Sequence, residues 1–246
     1  MKRVLLQSVR WRRIMSTRLR RYLLIGALIM AVPAAFAQPI IVNANFGAVP
    51  IMCGGNYAYQ GTGGCDSPAQ DFNSAPGFGW TLSTTHDQDY YGPGLTGPDT
   101  AFDPPPFDGL PFTQALFLQS GSAFGRPSAS QDVDGFSAGS YTLSFYLGSR
   151  YRGDQYNGDQ TVQALIDGTV IGTWALTSFT PFTQRFATFT VSTGGVHNLE
   201  FVGINDNGDH TAFLSGVDIA EGVPEPSTLV LLVTGLVGGV AKFYRR

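Results

Sequence analysis

Few residues in this chain have the types and spacing that chemistry needs. Gly135-Phe136-Ser137-Ala138-Gly139 spells the G-x-S-x-G string of a serine nucleophile. That mechanism requires a strand-to-helix elbow that exposes the hydroxyl. Here the string opens an alternating strand pattern with no helical period after it, so a turn is expected. His86, His197 and His210 show no metal-ligating spacing, and His197 reads as a structural histidine near a hairpin. A glycosidase needs two carboxylates facing each other across a cleft, and no aspartate spacing favours such a pair. The chain is therefore expected not to be an enzyme.

Binding chemistry fits better. Asn205-Asp206-Asn207-Gly208-Asp209 alternates oxygen-bearing side chains around a glycine, as part of a calcium loop does, without the terminal glutamate of an EF-hand. Asn205, Asp206, Asn207 and Asp209 are the candidate ligands and calcium the candidate cofactor; an Asx-rich turn joining two strands explains the same residues. Sugar recognition needs an aromatic face for C–H groups and a few planar polar groups for hydroxyls. Arg150 and Tyr151 end a strand and Arg152 follows them; with Asp209 and Trp80 they are the candidate carbohydrate contacts. Two of these have a second reading. Arg150 also suits an ion pair with a nearby aspartate that fixes the loop, and Trp80 suits the core.

The elements that would position these residues are short strands. From Gly47 to Pro111 turn-forming residues dominate, broken by Gly79-Trp80-Thr81-Leu82-Ser83, and Asp103-Pro104-Pro105-Pro106-Phe107 reads as a stiff extended loop. Ile40 to Phe46 is the expected first strand and Ala115 to Gln119 another. Period-2 alternation then recurs: Tyr141, Leu143, Phe145 and Leu147 share one face, and Val162, Ala164 and Ile166 follow. Asp167-Gly168 is a hairpin signal into Val170 to Trp174. Arg185 to Val191, Val196 to Ile204 and Thr211 to Ile219 complete an all-β pattern expected as a β-sandwich.

Both ends of the chain read as addresses. Eight basic residues precede an apolar run from Tyr22 to Val32, and Ala35-Phe36-Ala37 supplies the small residues of a signal-peptidase site, leaving Gln38 as the first mature residue. Export by the Sec route is expected, since Arg20-Arg21 fits the twin-arginine consensus poorly. At the other end Val223-Pro224-Glu225-Pro226-Ser227 precedes an apolar run of about 14 residues and the basic end Lys242-Phe243-Tyr244-Arg245-Arg246. As a helix that run reaches roughly 21 Å against about 30 Å of hydrocarbon, so its flanks would have to be drawn in. The expected organisation is a signal peptide over 1–37, one domain over 38–222 and a sorting segment over 223–246.

Removing the ends changes the charge. The whole chain is −3, but residues 38–222 hold four arginines and no lysine against fifteen aspartates and two glutamates, a formal charge of −13. A basic patch for nucleic acid or anionic lipid is thereby excluded. Cys53 and Cys65 bracket a glycine-rich loop; in an oxidising compartment their pairing is expected, worth about 3 kcal/mol in the chain-entropy model.

Two family resemblances follow from these residues. The order Pro224-Glu225-Pro226, apolar run, basic end resembles the PEP-CTERM sorting signal of Gram-negative bacteria. The resemblance implies recognition and removal by an exosortase, transient contact with the inner membrane through the tail, and a final place in the periplasm, cell envelope or extracellular matrix. Asn43-Ala44-Asn45-Phe46, Gly79-Trp80, Ala138 to Phe145, Ile166 to Gly172 and Gly208 to Leu214 resemble a galactose-binding-like jelly roll. That resemblance spans roughly residues 40–220, is strongest after Ser128, and implies a carbohydrate-binding module for exopolysaccharide, with an arginine at the position of Arg150. The rival expectation is a structural matrix protein with no specific glycan site, and a third, ranked below it, is a hydrolase of unrecognised type.

Overall fold

The computed structural model describes residues 38–52, 56–61, 70–85, 92–120, 125–151, 159–205 and 209–222. The expected signal peptide, with Ala37, and the sorting segment, with Pro224, Glu225, Pro226 and its apolar helix, lie outside the described residues. So do Cys53, Cys65, His86, Arg152, Asp206 and Asn207.

Eleven strands are described: β1 Tyr57–Tyr59, β2 Thr81–Thr84, β3 Pro93–Thr96, β4 Ala115–Ser120, β5 Pro127–Phe136, β6 Gly139–Ser149, β7 Thr161–Ile166, β8 Thr169–Ala175, β9 Thr183–Val191, β10 Gly195–Gly203 and β11 His210–Glu221. One sheet runs β1-β3-β4-β11-β6-β9 and the other β2-β5-β10-β7-β8. All pairings within them are antiparallel. The all-β sandwich expected from the alternation is the fold.

Alternation dictates which side chains meet. Tyr141, Leu143, Phe145 and Leu147 of β6 all point inward and are buried, as are Val162, Ala164 and Ile166 of β7. Phe145 bridges the two sheets, with its ring 4.9 Å from Phe201 of β10 and 4.9 Å from Trp174 of β8. Each buried leucine, valine, isoleucine or phenylalanine among them stabilises by about 1.5–3 kcal/mol through removal from water. The Asp167-Gly168 turn closes the β7–β8 hairpin with both residues at positive φ, 49° and 75°. In β11 a bulge between Ser215 and Asp218 interrupts the alternation, with Gly216 at φ 62°, and it returns Val217 and Ile219 to the inner face.

The expected first strand is not a strand. Ile40 to Phe46 carries β-forming residues, yet Asn43 and Phe46 sit at φ 52° and 57° in a turn closed by the Phe46 N–H on the Asn43 carbonyl at 3.0 Å. Asparagine tolerates this region, and side chains replace a ladder partner. The Gln131 amide accepts from the Val42 N–H at 2.7 Å and donates to the Val42 and Gly79 carbonyls. The Ala44 carbonyl accepts from the Val217 N–H at 2.9 Å, so the segment plugs the β11 bulge. In the opposite sense, Pro93-Gly94-Leu95-Thr96 reads as turn but forms β3. A side chain at 94 would meet the Ala58 carbonyl and the Phe117 ring, so glycine lets the strand approach both.

The segment between β3 and β4 folds back across the outer face of the first sheet. Phe102 stacks on Phe117 at 4.4 Å, and Tyr59, Ala115 and Phe213 complete a second small core. Phe107 and Phe112 each meet Phe182 at 5.2 Å. The proline-rich run is thus a packed wall. Antiparallel pairing brings Ser120, Ser149, Ala175 and Gly203, the last residues of β4, β6, β8 and β10, to one end of the sandwich, beside the first residues of β5, β7, β9 and β11.

Candidate functional site

That end holds most of the polar side chains singled out by sequence, and two hydrogen-bonded frames support it. Arg150 follows the last residue of β6 and is only 4% exposed. Its Nη1 lies 3.0 Å from Asp209 Oδ2, its Nε donates to the Phe102 carbonyl at 3.1 Å, and its guanidinium carbon lies 4.8 Å from the centre of the Phe102 ring. Asp209 Oδ1 accepts from Gln119 Nε2 at 2.7 Å, and Gln119 Oε1 accepts from the Tyr59 hydroxyl at 2.6 Å. One chain of bonds therefore ties β1, β4, β6, the start of β11 and the covering segment together.

The second frame centres on Gln160, which is buried just before β7. Its Oε1 accepts from the Asn205 N–H at 3.0 Å, and its Nε2 donates to the His210 carbonyl at 3.2 Å and to Ser120 Oγ. Ser120 Oγ in turn donates to the Asn205 carbonyl. Asn205 Nδ2 donates to the Asp159 carbonyl, and His210 Nδ1 lies 2.6 Å from Asp159 Oδ1. Low dielectric strengthens such networks only when their members are satisfied.

These contacts bear on the open sequence readings. Arg150 pairs with Asp209, so both are braces of the rim. Trp80 is no platform: it is 2% exposed, its ring lies 5.1 Å from Phe46 and 6.2 Å from Phe201, and its indole N–H donates to the Asn43 carbonyl. Trp80 lies just before β2 and shares the inward face of Leu82, which buries it. The described members of the calcium-loop pattern do not converge, because the Asp209 carboxylate is taken by Gln119 and Arg150 while the Asn205 amide turns to Asp159. Among the described residues no three His, Cys, Asp or Glu side chains gather closely enough to hold a metal ion.

Ser137 sits in the β5–β6 turn at the opposite end of the sandwich, where its N–H donates to the Tyr141 hydroxyl and its carbonyl accepts from that hydroxyl. A strand follows it, as expected. His197 is also at that end. Its Nδ1 lies 2.6 Å from Asp167 Oδ2 and its Nε2 3.0 Å from the Thr193 carbonyl. The hydrogen bond to Asp167 raises the His197 pKa, and the same bond, with the Asn198 N–H, lowers that of Asp167.

Among the described residues, Tyr151 is the carbohydrate candidate with an exposed aromatic ring, at 38% exposed. It does not stand alone. Phe179, in the β8–β9 connection, meets it edge-on at 5.8 Å with 70° between the rings. Nothing in the alternation marks Phe179; the signal available was an aromatic residue among Thr177, Ser178, Thr180 and Pro181, outside any strand pattern.

Residues 222–246 match the family model of the PEP-CTERM protein-sorting motif. No curated protein matches the chain in sequence. Among solved structures the chain is similar to the K1 cleaved adhesin domain of Lys-gingipain from Porphyromonas gingivalis, at 11% identity over 63% of this chain and 97% of that one, TM-score 0.44. It is similar to the module TmCBM61 in complex with β-1,4-galactotriose, at 13% identity over 58% and 88%, TM-score 0.39. It is also similar to the enzymatically active domain of bacteriophage CBA120 tailspike protein 4, at 16% identity over 58% of this chain, TM-score 0.40, although it spans only 19% of that chain. Values this low carry no argument about ligand or activity. What the sequence match does establish is that this chain carries a PEP-CTERM protein-sorting motif beyond the last strand of its β-sandwich.

Proposed function

We propose that the protein is an exported, non-catalytic component of the cell envelope or extracellular matrix that binds polysaccharide through the Arg150 end of its sandwich. The observation that carries this reading is an exposed tyrosine, Tyr151, set directly on a buried, charge-paired frame. A rim fixed by such a frame needs little ordering when a ligand arrives, and that ordering is a main cost of binding. The sorting motif supports delivery: an exosortase acts on the tail, which meets the inner membrane, and the domain is left in the periplasm, envelope or matrix. The backbone bonds of Ser137 to the Tyr141 hydroxyl support a structural turn there rather than a nucleophile elbow.

A second reading, a structural matrix protein, is favoured by the −13 charge and by the outer face of the second sheet, where Thr81, Ser83, Ser128, Ser130, Asn198 and Glu200 form a polar surface. A glycan array probed with the exported protein, with and without calcium chloride, separates the two. Retention above background with no release of reducing sugar is the expected result. Retention of nothing in either condition overturns the binding reading and favours the structural one. Calcium belongs to the proposal only if it raises retention or melting temperature.

A further inference from the structure

Resting on the polysaccharide reading, one pair of residues sharpens it to a contact surface and a ligand class. Phe179 adopts φ 66° and is 51% exposed. A bulky aromatic residue in the left-handed region is strained, and such strain persists only where surrounding bonds over-determine it. Those bonds are present. The Phe179 N–H donates to the Arg150 carbonyl at 3.0 Å. The Ser149 N–H donates to the Thr180 carbonyl at 2.9 Å, and Ser149 Oγ accepts from the Thr180 N–H at 2.8 Å and donates to the Thr177 carbonyl at 2.6 Å. On the other side, the Tyr151 N–H donates to the Asp103 carbonyl at 2.8 Å.

The two rings are therefore held by their backbones, yet neither is buried by what holds it. At 70° to each other they form a corner. A corner of this kind offers one ring to the C–H face of a pyranose and the other to its edge, which suits one sugar residue rather than a run of coplanar ones. Charge narrows the class. The domain carries −13, and Arg150, beside the corner, is turned inward onto Asp209. Carboxylated and sulfated glycans are repelled by that field. We propose that Tyr151 and Phe179 together form the contact surface for a single neutral pyranose residue of a polysaccharide.

The test is migration of the exported protein in native gels cast with neutral polysaccharides (galactan, xylan, β-glucan) or anionic ones (polygalacturonate, alginate). Wild type is retarded by at least one neutral polysaccharide. Tyr151→Ala and Phe179→Gly weaken that retardation by about tenfold or more, a loss of about 1.4 kcal/mol, while Tyr151→Phe keeps it. Glycine accepts the backbone conformation of position 179, so Phe179→Gly removes the ring together with the strain; an unlowered melting temperature confirms its fold. Unchanged retardation in both ring-removing variants overturns the corner and leaves polysaccharide binding standing. Retardation by anionic polysaccharides alone overturns the ligand class. If no polysaccharide retards the wild type, this inference and the reading beneath it both fall.

Discussion

At Arg150 one guanidinium meets a carboxylate, a carbonyl and an aromatic face. Such a cation specifies geometry more than it adds stability, because removing two charges from water offsets much of their attraction. Breaking the pair is another matter. Arg150→Ala leaves Asp209 beside Gln119 without its counter-charge and should cost about 3–5 kcal/mol in urea unfolding; a cost below about 1 kcal/mol would mean that water already solvates the pair. His197 gives a second expectation at this scale. Its pKa is raised above 6.5 by the hydrogen bond to Asp167, so its contribution is complete below pH 6.5 and is lost as pH rises through the folded value. Asp167 is lowered below 3.8, so its contribution is complete above pH 3.8 and is lost as pH falls through its own folded value. The pair therefore stabilises most between about pH 4 and 6.5. His197→Gln should flatten the decline in urea midpoint above pH 6.5; an unaltered decline would assign it to other groups.

At the scale of elements, the back half was legible because each strand buries one face, and burial writes period-2 alternation into the sequence. Tyr141 to Leu147 and the Asp167-Gly168 hairpin stand where their pattern put them. The front was not legible. Gly94 and Pro93 look like turn residues, but β3 needs its glycine to pass Phe117. Ile40 to Phe46 looks like strand, but the N–H and carbonyl of Val42 are met by the side chain of Gln131, 89 residues away. Local pattern cannot see a partner at that distance. Gln131→Leu should abolish hydrogen-exchange protection at the Val42 amide and cost about 1–3 kcal/mol, the penalty for orphaned polar groups. Retained protection at Val42 would show that another group holds the segment.

For the molecule as a whole, the dominant quantity is the charge of −13 carried by residues 38–222. Like charges destabilise the compact state through self-repulsion, and a Debye length of about 10 Å at 0.1 M salt screens it. The melting temperature of the exported protein should therefore rise between about 10 mM and 300 mM sodium chloride, where the screening length shortens most. A flat or falling response would mean that attractive pairs such as Arg150–Asp209 outweigh the repulsion. The same charge opposes the long-range approach of anionic ligands, which is the physical basis of the neutral-glycan proposal.

Composition and linear order were enough for the sorting motif at the C-terminal end, the acidic composition of residues 38–222 and the all-β class, because each is a property of short segments or of sums over residues. The roles of individual side chains were not. That Arg150 pairs with Asp209 depended on where the chain entering β11 places that aspartate, 59 residues further along. Trp80 became core because the segment entering β2 turns it inward with Leu82. Phe179 met Tyr151 only because Ser149 and Thr180 latch two distant segments together. Contacts between residues far apart in sequence leave no local period behind, and only the tertiary structure decided them.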